Sequence, residues 1–137
     1  SHELGIQLLI ENNVVGLNNF INGLSVAHLS NHQEIVDFFK EFGTEKVSLL
    51  LDTAHYYISE NSLPSTTFKP NRIIELRDYT KVVHHSNTCH LQDCNKPLDS
   101  LYWFKKYMEE FDHCDHVLEI KQVRNEIIKI SINVLEG

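Results

Sequence analysis

The sequence predicts an α/β fold built from parallel β-α repeats, and three observations carry that expectation. Short apolar runs recur near residues 6–11, 46–52, 80–85 and 115–120, spaced by about one strand plus one helix each. The run Val47-Ser48-Leu49-Leu50-Leu51 is near-continuously apolar rather than alternating, the mark of a strand buried on both faces in a parallel sheet. Between the runs lie segments with helical periodicity, so each strand returns to its neighbour by a right-handed crossover.

The elements follow in order. Ile6, Leu8, Leu9 and Ile10 form a short strand that ends on Glu11-Asn12-Asn13. From Asn12 to Leu29 the pattern is irregular, with Asn-rich and Gly-containing turns, which predicts a functional loop with room for one short helix. Asn31 with Glu34 makes a capping-box pattern, and Ile35, Phe38, Phe39 and Phe42 then recur at helical spacing until Gly43 stops the helix. The strand after it halts at Asp52, with His55 on the following turn facing the same space.

Tyr56 to Lys69 holds Ser, Thr, Asn and Pro64 without periodicity and predicts a long loop. Pro70 opens a short helix carrying Ile73, Ile74 and Leu76. Thr80-Lys81-Val82-Val83 is a strand that runs out into His84-His85-Ser86-Asn87. A polar loop from Thr88 to Lys96 leads past Pro97 to a helix striped with Leu101, Phe104, Met108 and Phe111. His116-Val117-Leu118 is the last strand, closing on Glu119 and Ile120. In the tail Val123, Ile127, Ile130 and Val134 fit a helix, while Ile128, Ile130, Ile132 and Val134 alternate as a strand would; the preceding alternation of elements favours the helix.

Composition bounds the function. With 137 residues, 42% apolar and 23% charged, the expectation is one globular domain with its own core. A formal charge of -7 disfavours nucleic acid as a partner unless a local basic groove or bound cations overcome the field. No apolar run approaches the roughly 20 residues of a membrane helix, and the N-terminus lacks a basic-then-apolar signal, so no membrane partner is expected. Cys89, Cys94 and Cys114 are an odd number without framework spacing, which predicts a reducing, cytoplasmic setting.

The functional signal is that all four predicted strands finish on metal-compatible side chains: Glu11, Asp52, His84 and Glu119. An ionised Asp at the inner end of a buried strand is costly to desolvate without a cation nearby. Three carboxylates and an imidazole suit Mn or Mg, or Zn in a more His-rich version. Any one of these residues is also simply the first polar position after a strand; the recurrence of ligand types at equivalent positions is what points to one site. A competing zinc cluster of Cys89, His90, Cys94, His113, Cys114 and His116 has poor spacing, since Cys89 and Cys94 lack the tight gap of a knuckle and His113 and Cys114 are adjacent. His28 and His32 read as surface residues, and the Phe and Leu stripes as core.

Four segments, Leu8-Leu9-Ile10-Glu11-Asn12, Leu51-Asp52-Thr53-Ala54-His55, Val82-Val83-His84-His85-Ser86-Asn87 and Leu118-Glu119, resemble the later strand ends of the xylose isomerase-like TIM barrels. That superfamily holds sugar isomerases and epimerases together with endonuclease IV, which cuts DNA at abasic sites. The resemblance implies that residues 1–137 are strands five to eight, a (β/α)4 C-terminal half of a TIM barrel. For the isomerase branch it implies a divalent-metal site on Glu11, Asp52, His84 and Glu119 and a small sugar-like substrate, with His55 near that substrate. Glu11 and Glu119 would be the proton-moving pair, working through an enediolate, with His55, His85, His90 and Asn87 as further metal or substrate contacts.

The endonuclease branch implies an Asp-x-His pair after strand seven, where this chain has Thr88-Cys89-His90, and a Gly-rich turn where it has Asp93-Cys94-Asn95-Lys96-Pro97. Isomerases in turn usually carry Asp near Asn87. A non-catalytic half barrel, used for binding or assembly, is the third expectation: four β-α units leave two sheet edges open, which calls for a homo-oligomer or a partner that supplies the other half.

Overall fold

The computed structural model describes residues 5–14, 20–21, 24–25, 28–63, 67–121 and 124–137. In chain order the elements are β1 (Leu8–Glu11), β2 (Phe20–Ile21), β3 (Leu24–Ser25), α1 (His32–Phe42), β4 (Val47–Asp52) and α2 (Thr53–Asn61), then a 3-10 helix (Pro70–Leu76). They continue with β5 (Thr80–His85), β6 (Asn87–Cys89), β7 (Gln92–Lys96), a second 3-10 helix (Trp103–Phe111), β8 (Asp115–Leu118) and α3 (Asn125–Glu136).

The chain is α/β. Its sheet has four strands in the order β1-β4-β5-β8, and every pairing is parallel. Partners across a parallel ladder share a face, so the register sets the rows. Glu11 lies beside Leu50, Leu50 beside Val82, and Val82 beside Asp115; Asp52 lies beside His84, and His84 beside Val117. Leu49, Leu51 and Val83 project from the opposite face into the core, where Ile35, Phe39, Ile73, Leu76, Phe104 and Phe111 cover them. The face that carries Leu9, Leu50, Val82 and Val117 is open among the described residues: Leu9 and Val117 are exposed, and Leu50 and Val82 only half-buried, although the last two lie on central strands.

Local chemistry explains α1. Asn31 Oδ1 accepts the Glu34 N–H, and Gly43, at φ 68°, takes a left-handed turn that returns its N–H to the Phe39 carbonyl at 2.9 Å. Ile35, Val36 and Phe39 are buried, whereas Phe42, expected in the core, is 65% exposed at the helix end.

Several expectations change. The long loop from Tyr56 is a helix in its first part, α2. It was illegible because Ala54, Tyr56, Ile58, Ser59 and Glu60 are all buried, so there is no single apolar stripe to read. His32 is not a surface residue: its Nδ1 meets the Tyr56 hydroxyl and its Nε2 the Glu75 carboxylate, each at 2.8 Å. The polar loop from Thr88 is the antiparallel hairpin β6-β7, crossed by a disulfide between Cys89 and Cys94. The cytoplasmic expectation rested on unpaired cysteines, and this bond removes that ground.

The same bond takes two sulfurs out of the competing zinc cluster. Cys114 is buried with its thiol on the Thr80 carbonyl, and His116 faces His85. Leu101 is 88% exposed because its helix starts only at Trp103. The tail is the expected helix, but it packs through Ser131, Val134 and Leu135, leaving Ile130 and Ile132 exposed; Val123 lies outside the described residues. Between Asn12 and Leu29 the described structure is the short β2-β3 pair. Among the described residues no helix is long and apolar enough to cross a membrane.

Candidate metal centre

The parallel sheet brings its strand ends to one edge. Glu11 is the last residue of β1, Asp52 the last of β4, and His84 lies beside Asp52 in β5. Glu119 follows β8 directly, its N–H held by the His85 carbonyl at 2.9 Å. Each of the four offers one ligand atom, and these atoms all lie within 4.8 Å of one another.

Asp52 is the buried member. One carboxylate oxygen, Oδ1, caps α2 by accepting the His55 N–H at 2.9 Å. Burial pushes its pKa up to about 6, partly offset by the positive field of His55 and by that N–H bond, while Glu11 and Glu119 push it further up. Glu11 and Glu119 reach outward, and the Glu119 carboxylate takes a hydrogen bond from His84 Nδ1 at 3.1 Å.

His55 stands beside this cluster on the first turn of α2. Its Nδ1 meets the Asn12 carbonyl at 2.9 Å and its Nε2 the Asp93 carboxylate at 3.1 Å, so both ring nitrogens face acceptors, an arrangement that favours the protonated ring. Burial works to lower the His55 pKa, but Asp52, the Asn12 carbonyl and Asp93 together outweigh it, and the net shift is upward. Glu11 Oε1 is 3.8 Å from Nδ1 and Asp52 Oδ2 is 3.9 Å from Nε2.

The other residues singled out from the sequence lie elsewhere. The His85 imidazole points to the helix-covered face, where Nδ1 meets the Tyr102 hydroxyl and Nε2 meets His116 Nδ1, each at 2.7 Å. Burial, then the nearby His116 and His84, drive its pKa down to about 3. His90 is exposed at the tip of the β6-β7 hairpin, and the Asn87 amide donates to the Pro97 carbonyl.

Two residues near the cluster escaped the sequence reading. Asn12 is fully buried and clasps β4: its amide donates to the Asp52 carbonyl at 3.1 Å, and its Oδ1 accepts the Asp52 N–H at 2.6 Å. Asp93 reaches His55 from the hairpin. A polar position after a strand and a place in the resembling segment Leu8-Leu9-Ile10-Glu11-Asn12 marked Asn12 without giving it a role, and nothing local marked Asp93, because both contacts span about 40 positions of chain.

No protein-family model and no curated protein sequence matches the chain. Fold and cluster together define an α/β chain with a candidate metal centre at the carboxyl edge of its parallel sheet. The donor set fits a cation: three carboxylates crowd a space into which one of them is buried, and added positive charge relieves both the repulsion and the desolvation.

Proposed function

We propose that the cluster holds one divalent cation, Mn or Mg in preference to Zn because three of its four donors are carboxylates, and that the chain is the metal-bearing part of a sugar isomerase or epimerase similar to the xylose isomerase-like enzymes. The observation that carries this reading is the convergence of Glu11, Asp52, His84 and Glu119 within 4.8 Å at a strand-end edge. When bound, the cation supplies a Lewis acid that polarises a substrate carbonyl.

The protein's own groups do the rest. Glu11 and Glu119 come from the two outer strands, β1 and β8, and so flank a substrate placed over Asp52 and His84. One, as its carboxylate, takes a proton from the carbon next to the carbonyl, and the other, as its carboxylic acid, delivers a proton to the product carbon. His55, whose two ring nitrogens are held by the Asn12 carbonyl and Asp93, stands beside Glu11 and Asp52 and positions the edge of the site nearest the substrate. The open sheet face belongs to this reading too: a second four-strand half, from another copy or another polypeptide, would cover Leu9, Leu50, Val82 and Val117.

Calorimetric titration with Mn(II), with a panel of aldoses and ketoses assayed for interconversion, tests the proposal. One bound Mn(II), lost in Asp52→Asn, and turnover lost in Glu11→Gln and Glu119→Gln are expected. Turnover that survives both Gln variants overturns the assigned roles. More than one tightly held zinc with cleavage of an abasic duplex replaces this reading with the endonuclease IV type. A stable, non-associating monomer with full activity overturns the need for a second half.

A further inference from the structure

The β6-β7 hairpin is an appendage of the sheet, and its own sequence makes it a poor hairpin. The two-residue turn is His90-Leu91, with His90 forced to φ 55°, where such turns favour Asn-Gly or Gly. The ladder is irregular between Asn87 and Cys89, and an isolated two-stranded ribbon is only marginally stable in water. What joins its strands covalently is the Cys89–Cys94 bond, which spans five positions and is exposed at Cys89.

This hairpin grips the candidate metal centre at two points. Asp93, adjacent to Cys94, accepts from His55 Nε2 at 3.1 Å. Asn95, on the other side of Cys94, holds the backbone around Glu119: its amide donates to the Glu119 carbonyl at 3.4 Å and its carbonyl accepts the Lys121 N–H at 3.1 Å. We propose that Asp93 is a positioning residue of the centre, kept on His55 by the Cys89–Cys94 disulfide, and that reduction of this disulfide by a dithiol releases it and weakens cation binding.

The geometry gives the direction. While Asp93 occupies Nε2, Asp52 Oδ2 stands off at 3.9 Å. With Asp93 withdrawn, the nearest carboxylate for the same ring nitrogen is Asp52, a member of the cluster, so a hydrogen bond from Nε2 competes with a cation for that oxygen. The Glu119 backbone loses its tie to Asn95 at the same time. In the redox step the dithiol supplies two electrons and two protons: its thiolate attacks the disulfide at Cys89, an exposed residue, the Cys89–Cys94 bond breaks, and a second exchange leaves both cysteines as thiols and the reductant as a disulfide.

The effect on cation affinity rests on the reading proposed above, whereas the hold on His55 does not, so the experiment reads the two separately. The whole chain is compared oxidised, reduced with dithiothreitol, and as Asp93→Asn with its disulfide intact. The ring 15N–1H correlations of His55, assigned by their loss in His55→Gln, report the Nε2 hydrogen bond. Mn(II) titration reports affinity.

The expected result is that reduction and Asp93→Asn displace the His55 Nε2 signal in the same direction, and that each raises the Mn(II) dissociation constant tenfold or more, the usual consequence of losing an outer partner of a metal site. A His55 signal unchanged by reduction overturns the clasp, as does an Asp93→Asn signal identical to that of the oxidised parent, even if reduction unfolds the chain. If no form binds Mn(II), the metal reading fails, and the His55 signals alone decide whether the disulfide holds Asp93.

Discussion

Replacing Asp52 by Asn should stabilise the cation-free chain while abolishing its cation binding. Asn keeps an oxygen to cap α2 but carries no charge into the buried corner between Glu11 and Glu119. The magnitude follows from the raised pKa: a carboxyl that titrates near 3.8 unfolded and about 6 folded favours folding only when protonated. Its contribution is therefore fully present below pH 3.8 and is lost as pH rises through 6. Above that, the parent carries a penalty of about 3 kcal/mol, at roughly 1.36 kcal/mol for each pH unit that separates the folded from the unfolded titration, and the variant lacks it.

Urea unfolding in the presence of a chelator, followed through the single Trp, Trp103, measures it. With a slope of about 2 kcal/mol/M, the midpoint of Asp52→Asn should exceed that of the parent by roughly 1.5 M at about pH 8 and coincide with it near pH 4. Saturating Mn(II) should then raise the parent midpoint and leave the variant unmoved. A variant no more stable than the parent under the alkaline condition, or equally shifted under both, would refute the argument that this carboxylate is buried at a cost that a cation offsets.

Three further outcomes follow from the same geometry. His85, driven down to about 3 mainly by burial, is neutral in the fold, so its contribution is present above pH 6.5 and is lost as pH falls toward 3, by about 5 kcal/mol in all; His85→Phe should lose less stability than the parent between about pH 6.5 and pH 4, and an identical acid slope would contradict the assignment. Asn12→Ala leaves the buried Asp52 N–H and carbonyl without their partners and should cost about 2–4 kcal/mol in urea unfolding; a loss below about 0.5 kcal/mol would mean that the clasp contributes nothing. Asn31→Ala removes the α1 cap and should cost about 1 kcal/mol in the same assay, with an unchanged midpoint as the contrary result.

How much was legible depended on whether a signal was local. The α1 cap was readable because Asn31, Glu34 and Gly43 act within a few residues of one another. The four strand runs were readable because each is a short apolar run closed by a polar residue, most plainly Val47 to Leu51. α2 was not, since a helix enclosed on nearly all sides has no stripe, and the β6-β7 hairpin was not, since its turn lacks the residues that announce one. His32 looked like surface because its partners, Tyr56 and Glu75, are distant in sequence.

The sequence by itself determined which residue types end each strand, and with the β-α rhythm that set an α/β fold and put Glu11, Asp52, His84 and Glu119 at equivalent positions. Tertiary structure decided what those positions mean. The stagger of parallel register brings the ligand atoms of four strand ends within 4.8 Å of one another and sets His85, on the other face, against Tyr102 and His116. It likewise set Asn12 beneath Asp52 and Asp93 against His55. The physical reason is that side-chain direction alternates along a strand and is readable locally, whereas register and loop placement are set by pairings between segments tens of residues apart.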